Sequence, residues 1–158
     1  MSFPEDIYSQ RILELAAAMP RTARLAAPHA TATAHSKLCG STVSVDLAME
    51  RGVVTDYGQS VKACLLGQSS ASVMGREIVG SSAEELRAVG AAMRKMLKED
   101  GPPPEGKWAD LAVLEPVRDY KARHASTLLV FDAVEDAIAQ IEAKRTTESE
   151  RSRSEEHV

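Results

Sequence analysis

The chain has 158 residues, 44% of them hydrophobic and 27% charged, with a net charge of −4, which describes one globular domain able to bury a sizeable core. The acidic balance, with no basic stretch interleaved with aromatics, excludes a nucleic-acid binder. No apolar run approaches the roughly 20 residues of a membrane span, so no membrane partner is expected.

The N-terminus, Met1-Ser2-Phe3-Pro4-Glu5-Asp6, lacks the basic-then-apolar order of a secretory signal, and a cytoplasmic protein is expected. Residues 4–19 read as a first helix, with Ile7, Ile12, Leu15 and Met19 on one face and Pro20 at its end. Residues 20–38 are rich in Ala, Thr, Pro and His without a sustained period, and read as a loop that delivers the chain to Cys39.

A hairpin follows. Val43, Val45 and Leu47 alternate with Ser44, Asp46 and Ala48, the pattern of a half-buried strand. Glu50-Arg51-Gly52 reads as its turn, with Gly52 free to take positive φ. The return strand, about 53–63, carries Val53, Tyr57, Val61 and Ala63 on one parity and ends at Cys64. An antiparallel return of this length brings Cys64 back towards Cys39.

Beyond Cys64 the spacing predicts a helix over about 68–79, with Ser69 or Ser70 as cap and Gly80 as stop. Ala71, Ser72 and Gly75 keep it slim. Ser82-Ala83-Glu84-Glu85 matches a capping box and opens a helix over about 83–98, with Leu86, Val89, Met93 and Leu97 inward. Gly101-Pro102-Pro103-Pro104 breaks it, and residues 108–114 suit a short helix holding the only tryptophan. A long helix runs from about 118 or 122 to 143, its stripe formed by Leu128, Leu129, Ala133, Val134, Ala137, Ile138 and Ile141. Residues 1–143 then form one domain, and 144–158, almost all Ser, Thr, Glu, Arg and Lys, read as a disordered charged tail.

Two cysteines in a reducing compartment are free thiols or metal ligands rather than a disulfide. Two inert, buried cysteines are the plainest reading. The local contexts argue otherwise: His35-Ser36-Lys37-Leu38-Cys39-Gly40-Ser41 opens a strand, and Cys64 precedes Ser69-Ser70-Ala71-Ser72-Val73-Met74. Cys64 also sits just before a helix N-terminus, where the dipole favours a thiolate.

The order helix, loop, Cys-Gly strand, strand-Cys, Ser/Ala-rich helix, helix, long helix resembles the iron–sulfur cluster scaffold family typified by IscU, SufU and the N-terminal domain of NifU. The resemblance spans roughly residues 6–143. Cys39-Gly40 is similar to the family's first cysteine motif, and Cys64 with Ser69–Met74 to its second, most closely in the SufU branch. Met19-Pro20-Arg21-Thr22-Ala23-Arg24-Leu25 resembles an altered Asn-Pro-Arg-Asn-x-Gly segment. Glu115-Pro116-Val117-Arg118 and Ala122-Arg123-His124-Ala125-Ser126-Thr127-Leu128 resemble the approach to a third cysteine.

The resemblance implies an α+β fold, a small antiparallel sheet of about three strands packed on one face by four to five helices. It implies a scaffold rather than an enzyme, one that binds iron and sulfide, or zinc, and passes a cluster or sulfur to apo-proteins. The sulfur would come from a cysteine desulfurase. The family's metal site uses three cysteines and an Asp two residues after the first. Here Ser41 stands at the Asp position and no third cysteine exists; Ser126 takes its place in a SufU-like frame, Ala125 in an IscU-like one.

The expected sulfur acceptors are Cys64 and Cys39, and the expected metal set is Cys39, Cys64 and His124, two thiolates and an imidazole suited to a [2Fe–2S] cluster, iron or zinc. His35, Lys37, Ser41, Arg123 and Ser126 are candidates for the surrounding shell. The alternative is a metal-free adaptor of the same fold that docks on a cysteine desulfurase or another partner. Gly-x-Ser-x-Gly, phosphate-loop and His-Glu-x-x-His signatures are all missing from the sequence.

Overall fold

The computed structural model describes residues 9–37 and 40–156, with side-chain surroundings as far as Thr147. The first helix, α1 (Gln10–Ala17), begins where the Ser9 hydroxyl accepts from the Ile12 amide. It buries Ile12, Leu15 and Ala16. The part of the expected helix containing Ile7 lies outside the described residues.

Three strands form an antiparallel meander in the order β1 (Ala30–His35), β2 (Thr42–Glu50) and β3 (Val53–Lys62). Strand β1 falls inside the stretch read as loop. Its Ala-Thr alternation does put Ala30 and Ala32 in the core and Thr31 and Thr33 outside. Alanine carries little β propensity, so pairing with β2 rather than local preference makes this a strand.

The β2–β3 connection is the expected tight turn. Arg51 and Gly52 both take positive φ, 54° and 77°, the signature of a two-residue hairpin whose twist matches its strands. The inward parity of β3 changes near this turn. Leu47 faces Tyr57 and Ala48 faces Asp56, yet Met49 faces Val54, so Thr55 is an extra residue. The bulge puts Val54 in the core and leaves Val53, expected inward, 37% exposed. Tyr57 keeps its inward place, at 2% exposed.

The second helix, α2 (Leu65–Glu77), starts three residues earlier than expected, with Cys64 at its N-cap position. Ser69 and Ser70 are therefore not caps. Both are buried inside the helix, where their hydroxyls donate to the Leu65 and Leu66 carbonyls four residues back. Helix α3 (Ala83–Lys98) forms as expected, with the Ser82 hydroxyl accepting from the Glu85 amide at 3.0 Å. The short helix around Trp108 is a longer run of 3₁₀ turns, Gly106–Asp119, followed by a further turn at Lys121–Arg123. Trp108 is buried and its indole N–H donates to Glu85.

The last helix, α4 (His124–Glu156), lays the expected apolar stripe across β1, β2, α2 and α3. It does not stop at 143. Residues 144–156, read as a disordered tail, continue the helix, and its continuation is tied down where Lys144 donates to the His29 carbonyl and Arg145 to the Met49 carbonyl. Hydropathy misses such a segment because the tie runs from cations to backbone, without buried apolar surface.

The helices cover the sheet face carrying Val43, Val45 and Leu47. Across the other face runs the segment after α1. Arg24 grips the buried Asp46 through two bonds, Nε to Oδ2 at 2.5 Å and Nη2 to Oδ1 at 2.8 Å. The Leu25 amide and the Thr31 hydroxyl donate to the same carboxylate. Gly58 lets this segment approach, since a Cβ there would lie 2.4 Å from the Ala23 carbonyl oxygen. The fully buried Gln59 completes the anchorage: its amide group donates to the Pro20 and Ala71 carbonyls and its oxygen accepts from Tyr57. Burial raises the affinity of the Tyr57 hydroxyl for its proton, and Tyr57 remains a donor there.

Two predictions follow from this packing. The Arg24 guanidinium, aided by Thr31 and Leu25, holds the Asp46 carboxyl at about 2, against an ordinary 3.8. The native state thus prefers ionised Asp46, which stabilises it by about 2 kcal/mol above pH 4, a contribution lost as pH falls towards 2. Urea titrations should show Asp46→Asn less stable by about that amount at neutral pH, with the gap to wild type closing on acidification. The second concerns Gly67 in α2, where a Cβ would meet the Ala63 Cβ at 2.8 Å and the Ser126 carbonyl oxygen at 3.0 Å. Helix propensity alone favours alanine over glycine by about 1 kcal/mol. Crowding costs about 1–3 kcal/mol, so Gly67→Ala should be destabilising in thermal melts despite that gain.

Candidate functional site

The described part of the site sits where β3 hands over to α2. Cys64, extended at φ −68° and ψ 172°, precedes the first turn of α2 and is half-buried. Its carbonyl accepts the Gln68 amide, while the Gln68 side chain donates to the Ala63 carbonyl, bracing the backbone on both sides of the thiol. Its sulfur lies 3.0 Å from the hydroxyl of Ser126, which is 1% exposed in the first turn of α4. Gly67 makes that contact possible by letting the start of α4 settle against α2. The thiol thus sits at the open N-terminus of α2, whereas α4 runs on from the preceding turn, the His124 amide donating to the Lys121 carbonyl.

Of the two candidate frames, Ser126 faces Cys64 and Ala125 is exposed on the other side. The residue expected in place of a third cysteine in the SufU-like frame is therefore the one in contact with the sulfur.

His124 is placed differently. Two residues before Ser126 on a helix, it projects about 200° away around the axis. Its Nε2–H donates to the carbonyls of Val117 and Arg118, at 3.0 and 3.1 Å, and the ring is buried. The imidazole thus caps the preceding 3₁₀ turns, and the structure does not bring it to Cys64. Among the described residues, no three His, Cys, Asp or Glu side chains gather as a metal-holding group.

Cys39 lies outside the described residues. Its neighbours are ordered around a closed loop: the Ser36 amide donates to the Ser41 carbonyl and the Gly40 amide to the Ser36 carbonyl. The register His35–Thr42–Lys62 puts this loop at the same end of the sheet as Cys64. Ser41 is buried in it, and Lys37 is exposed. His35 is spent on Thr42, with Nδ1 2.9 Å from its hydroxyl. Arg123 is half-buried, and its carbonyl accepts from the Thr127 hydroxyl.

Sequence reading missed Gly67 and Gln68, which set the approach to Cys64. A glycine in the first turn of a helix directly after a candidate cysteine was the available signal. The Arg24–Asp46 clamp had none, since its partners lie 22 residues apart in unlike contexts.

No family model matches the chain. It is 26% identical over 135 residues to the iron–sulfur cluster assembly scaffold protein IscU of Thermotoga maritima, covering 85% of this chain and 94% of that one. Its fold matches the SUF-system protein SufU of Fervidobacterium islandicum AW-1 with a TM-score of 0.78, at 19% identity over 86% of this chain and 99% of the other. The crystal structure of an N-terminal NifU-like protein from Brucella abortus superposes with a TM-score of 0.89. That protein is 63% identical, and the match covers 90% of this chain and 99% of it. With that identity over nearly the whole of the related chain, and with Cys64 opening α2 beneath the first turn of α4, the protein belongs to the IscU/SufU/NifU-like scaffold family.

Proposed function

We propose that the protein is a scaffold of iron–sulfur cluster assembly, receiving sulfur at Cys64 and passing a cluster or sulfur to apo-proteins. The observation that carries this reading is the half-buried Cys64 sulfur at the N-terminus of α2, 3.0 Å from Ser126, in a chain 63% identical to a NifU-like protein.

The transfer itself is ordinary thiol–persulfide exchange. The Cys64 thiolate attacks the terminal sulfur of a donor persulfide, the donor S–S bond breaks, and the donor leaves as its own thiolate. The N-terminus of α2 and a hydrogen bond from Ser126 stabilise the anionic sulfur that Cys64 then carries. A cysteine desulfurase is the donor with this chemistry.

Iron with sulfide is the proposed cargo, held by Cys64 and Cys39, with zinc as the alternative occupant. Thiolates suit both metals, whereas a serine hydroxyl is a poor ligand for them. His124 joins this set only if its ring leaves the Val117 and Arg118 carbonyls. A donor set this sparse favours loose holding and ready release. The protein is thus a carrier rather than a catalyst.

One observation favours a second reading. Ser126 stands where the resemblance puts a third thiolate, which suits an adaptor that keeps the docking surface without the cargo.

The two readings separate after anaerobic purification alongside a co-expressed cysteine desulfurase. The scaffold reading expects iron with acid-labile sulfide, or zinc, or a persulfide, each lost in Cys64→Ala. It further expects Ser126→Cys to hold metal on the order of tenfold more tightly or better, since a thiolate replaces a hydroxyl. Wild-type protein free of iron, zinc and persulfide, with desulfurase binding unchanged in Cys64→Ala, would establish the adaptor instead.

A further inference from the structure

At the end of the sheet away from Cys64, α4 passes the end of β2 and leaves a cavity of about 320 Å³. It is lined by His29, Ile141, Lys144 and Arg145. Lys144 and Arg145 each spend one hydrogen bond on a neutral backbone carbonyl, those of His29 and Met49, at 2.9 and 2.6 Å. Among the described side chains, which end at Thr147, neither cation is paired with a carboxylate. The nearby Glu142 is engaged by Arg87 at 2.5 Å.

The donors left over are numerous. The Met49 amide donates to Nδ1 of His29 at 3.0 Å, so that nitrogen is an acceptor and the ring carries its proton on Nε2. An ammonium has three N–H groups and a guanidinium five. Among the described side chains, each of the two cations spends a single N–H, on its backbone carbonyl. A planar carboxylate has two oxygens and would leave much of this donor set idle. A tetrahedral phosphate presents three or four and draws donors from several directions, matching an imidazole, an ammonium and a guanidinium converging from two elements.

The cavity exceeds a bare ion and lies at the small end of organic-ligand pockets, with Ile141 as its apolar wall. The concentration of positive charge also runs against the chain's net −4. We infer that His29, Lys144 and Arg145 form a binding site for a phosphate group, free or carried by a small organic molecule. The site is independent of Cys64 and its chemistry.

The test is an amide-resolved NMR titration of the full chain at low ionic strength, with inorganic phosphate and, separately, with adenosine monophosphate. Saturable shifts confined to the amides around His29, Met49 and residues 144–145 are expected with at least one probe. Tighter binding of the monophosphate assigns an organic phosphate; equal binding assigns the free ion. Lys144→Gln and Arg145→Gln should each weaken binding about tenfold, the usual scale for one charge-assisted contact. Arg145→Gln also removes a tie to the end of β2, so Lys144→Gln, whose lost bond is exposed, decides the matter if that variant unfolds. No saturable shift up to about 10 mM of either probe, a millimolar limit below any useful affinity, would overturn the proposal. Binding that survives unchanged in Lys144→Gln would do the same.

Discussion

The structure depends on one narrow helix. Helix α2 lies between α1, α4 and the sheet, and residues on every side of it are buried, including Gly67, Ser69, Ser70, Ala71, Ser72 and Gly75. A helix can be enclosed this way only if its side chains are small, since bulk on any face would force a neighbour away. The enclosed hydroxyls must then find partners within reach. Ser69 donates to the Leu65 and Ile12 carbonyls and Ser70 to the Leu66 carbonyl, so the polarity is satisfied at the helix's own backbone and that of α1. Gly75 similarly admits the Gln59 amide and Pro20. The same slimness fixes the site, because the approach of α4 at Gly67 is what puts Ser126 against Cys64.

The sheet is held differently on its two faces. Towards the helices it relies on apolar burial, with Val43, Val45 and Leu47 fully enclosed. On the other face a single carboxylate organises the covering segment, since Asp46 gathers donors from Arg24, Leu25 and Thr31. A buried carboxylate with fewer donors would cost several kcal/mol in desolvation; with this set its ionised form is the favoured one. Gln59 works from the opposite direction, reaching from β3 to Pro20 and Ala71 and so tying the covering segment to α2. Polar contacts fix what covers the sheet, and apolar contacts supply most of the driving force.

What could be read from the sequence follows this division. Helix α3 was legible because its cap, its 3.6-residue stripe and the Gly-Pro stop all agree. The hairpin was legible because alternation and the Arg51-Gly52 turn agree. Where signals were small or conflicting, reading failed. The Ala-Thr alternation of β1 is too weak to stand out, and the bulge at Thr55, which turns Val53 outward, has no local mark. Ser69 and Ser70 looked like caps because serine often caps; at Cys64 the cap position is held by backbone geometry alone, without a side-chain bond. The contact between Cys64 and Ser126 was anticipated only through a family frame, because the two residues lie 62 positions apart. His124 fitted a ligand pattern in sequence, but its bonds to Val117 and Arg118 depend on the 3₁₀ path before α4.

Serine at 126, where the family resemblance implies a third thiolate, has a consequence set by magnitudes. A neutral hydrogen bond between the two side chains contributes only about 1 kcal/mol net, so any sulfur or metal that engages Cys64 displaces the hydroxyl at little cost. The hydroxyl can also turn to donate to an anionic sulfur, which makes it a better partner for a thiolate or persulfide than for a bound metal. A third thiolate in the same position would act oppositely, adding a strong ligand for soft metals and another negative charge beside the first. With serine there, the sulfur has a hydroxyl that can donate to it and no second thiolate from α4. The described contacts around Cys64 are those of a hydrogen-bonded sulfur at the start of a helix, a setting compatible with the sulfur receipt proposed for it.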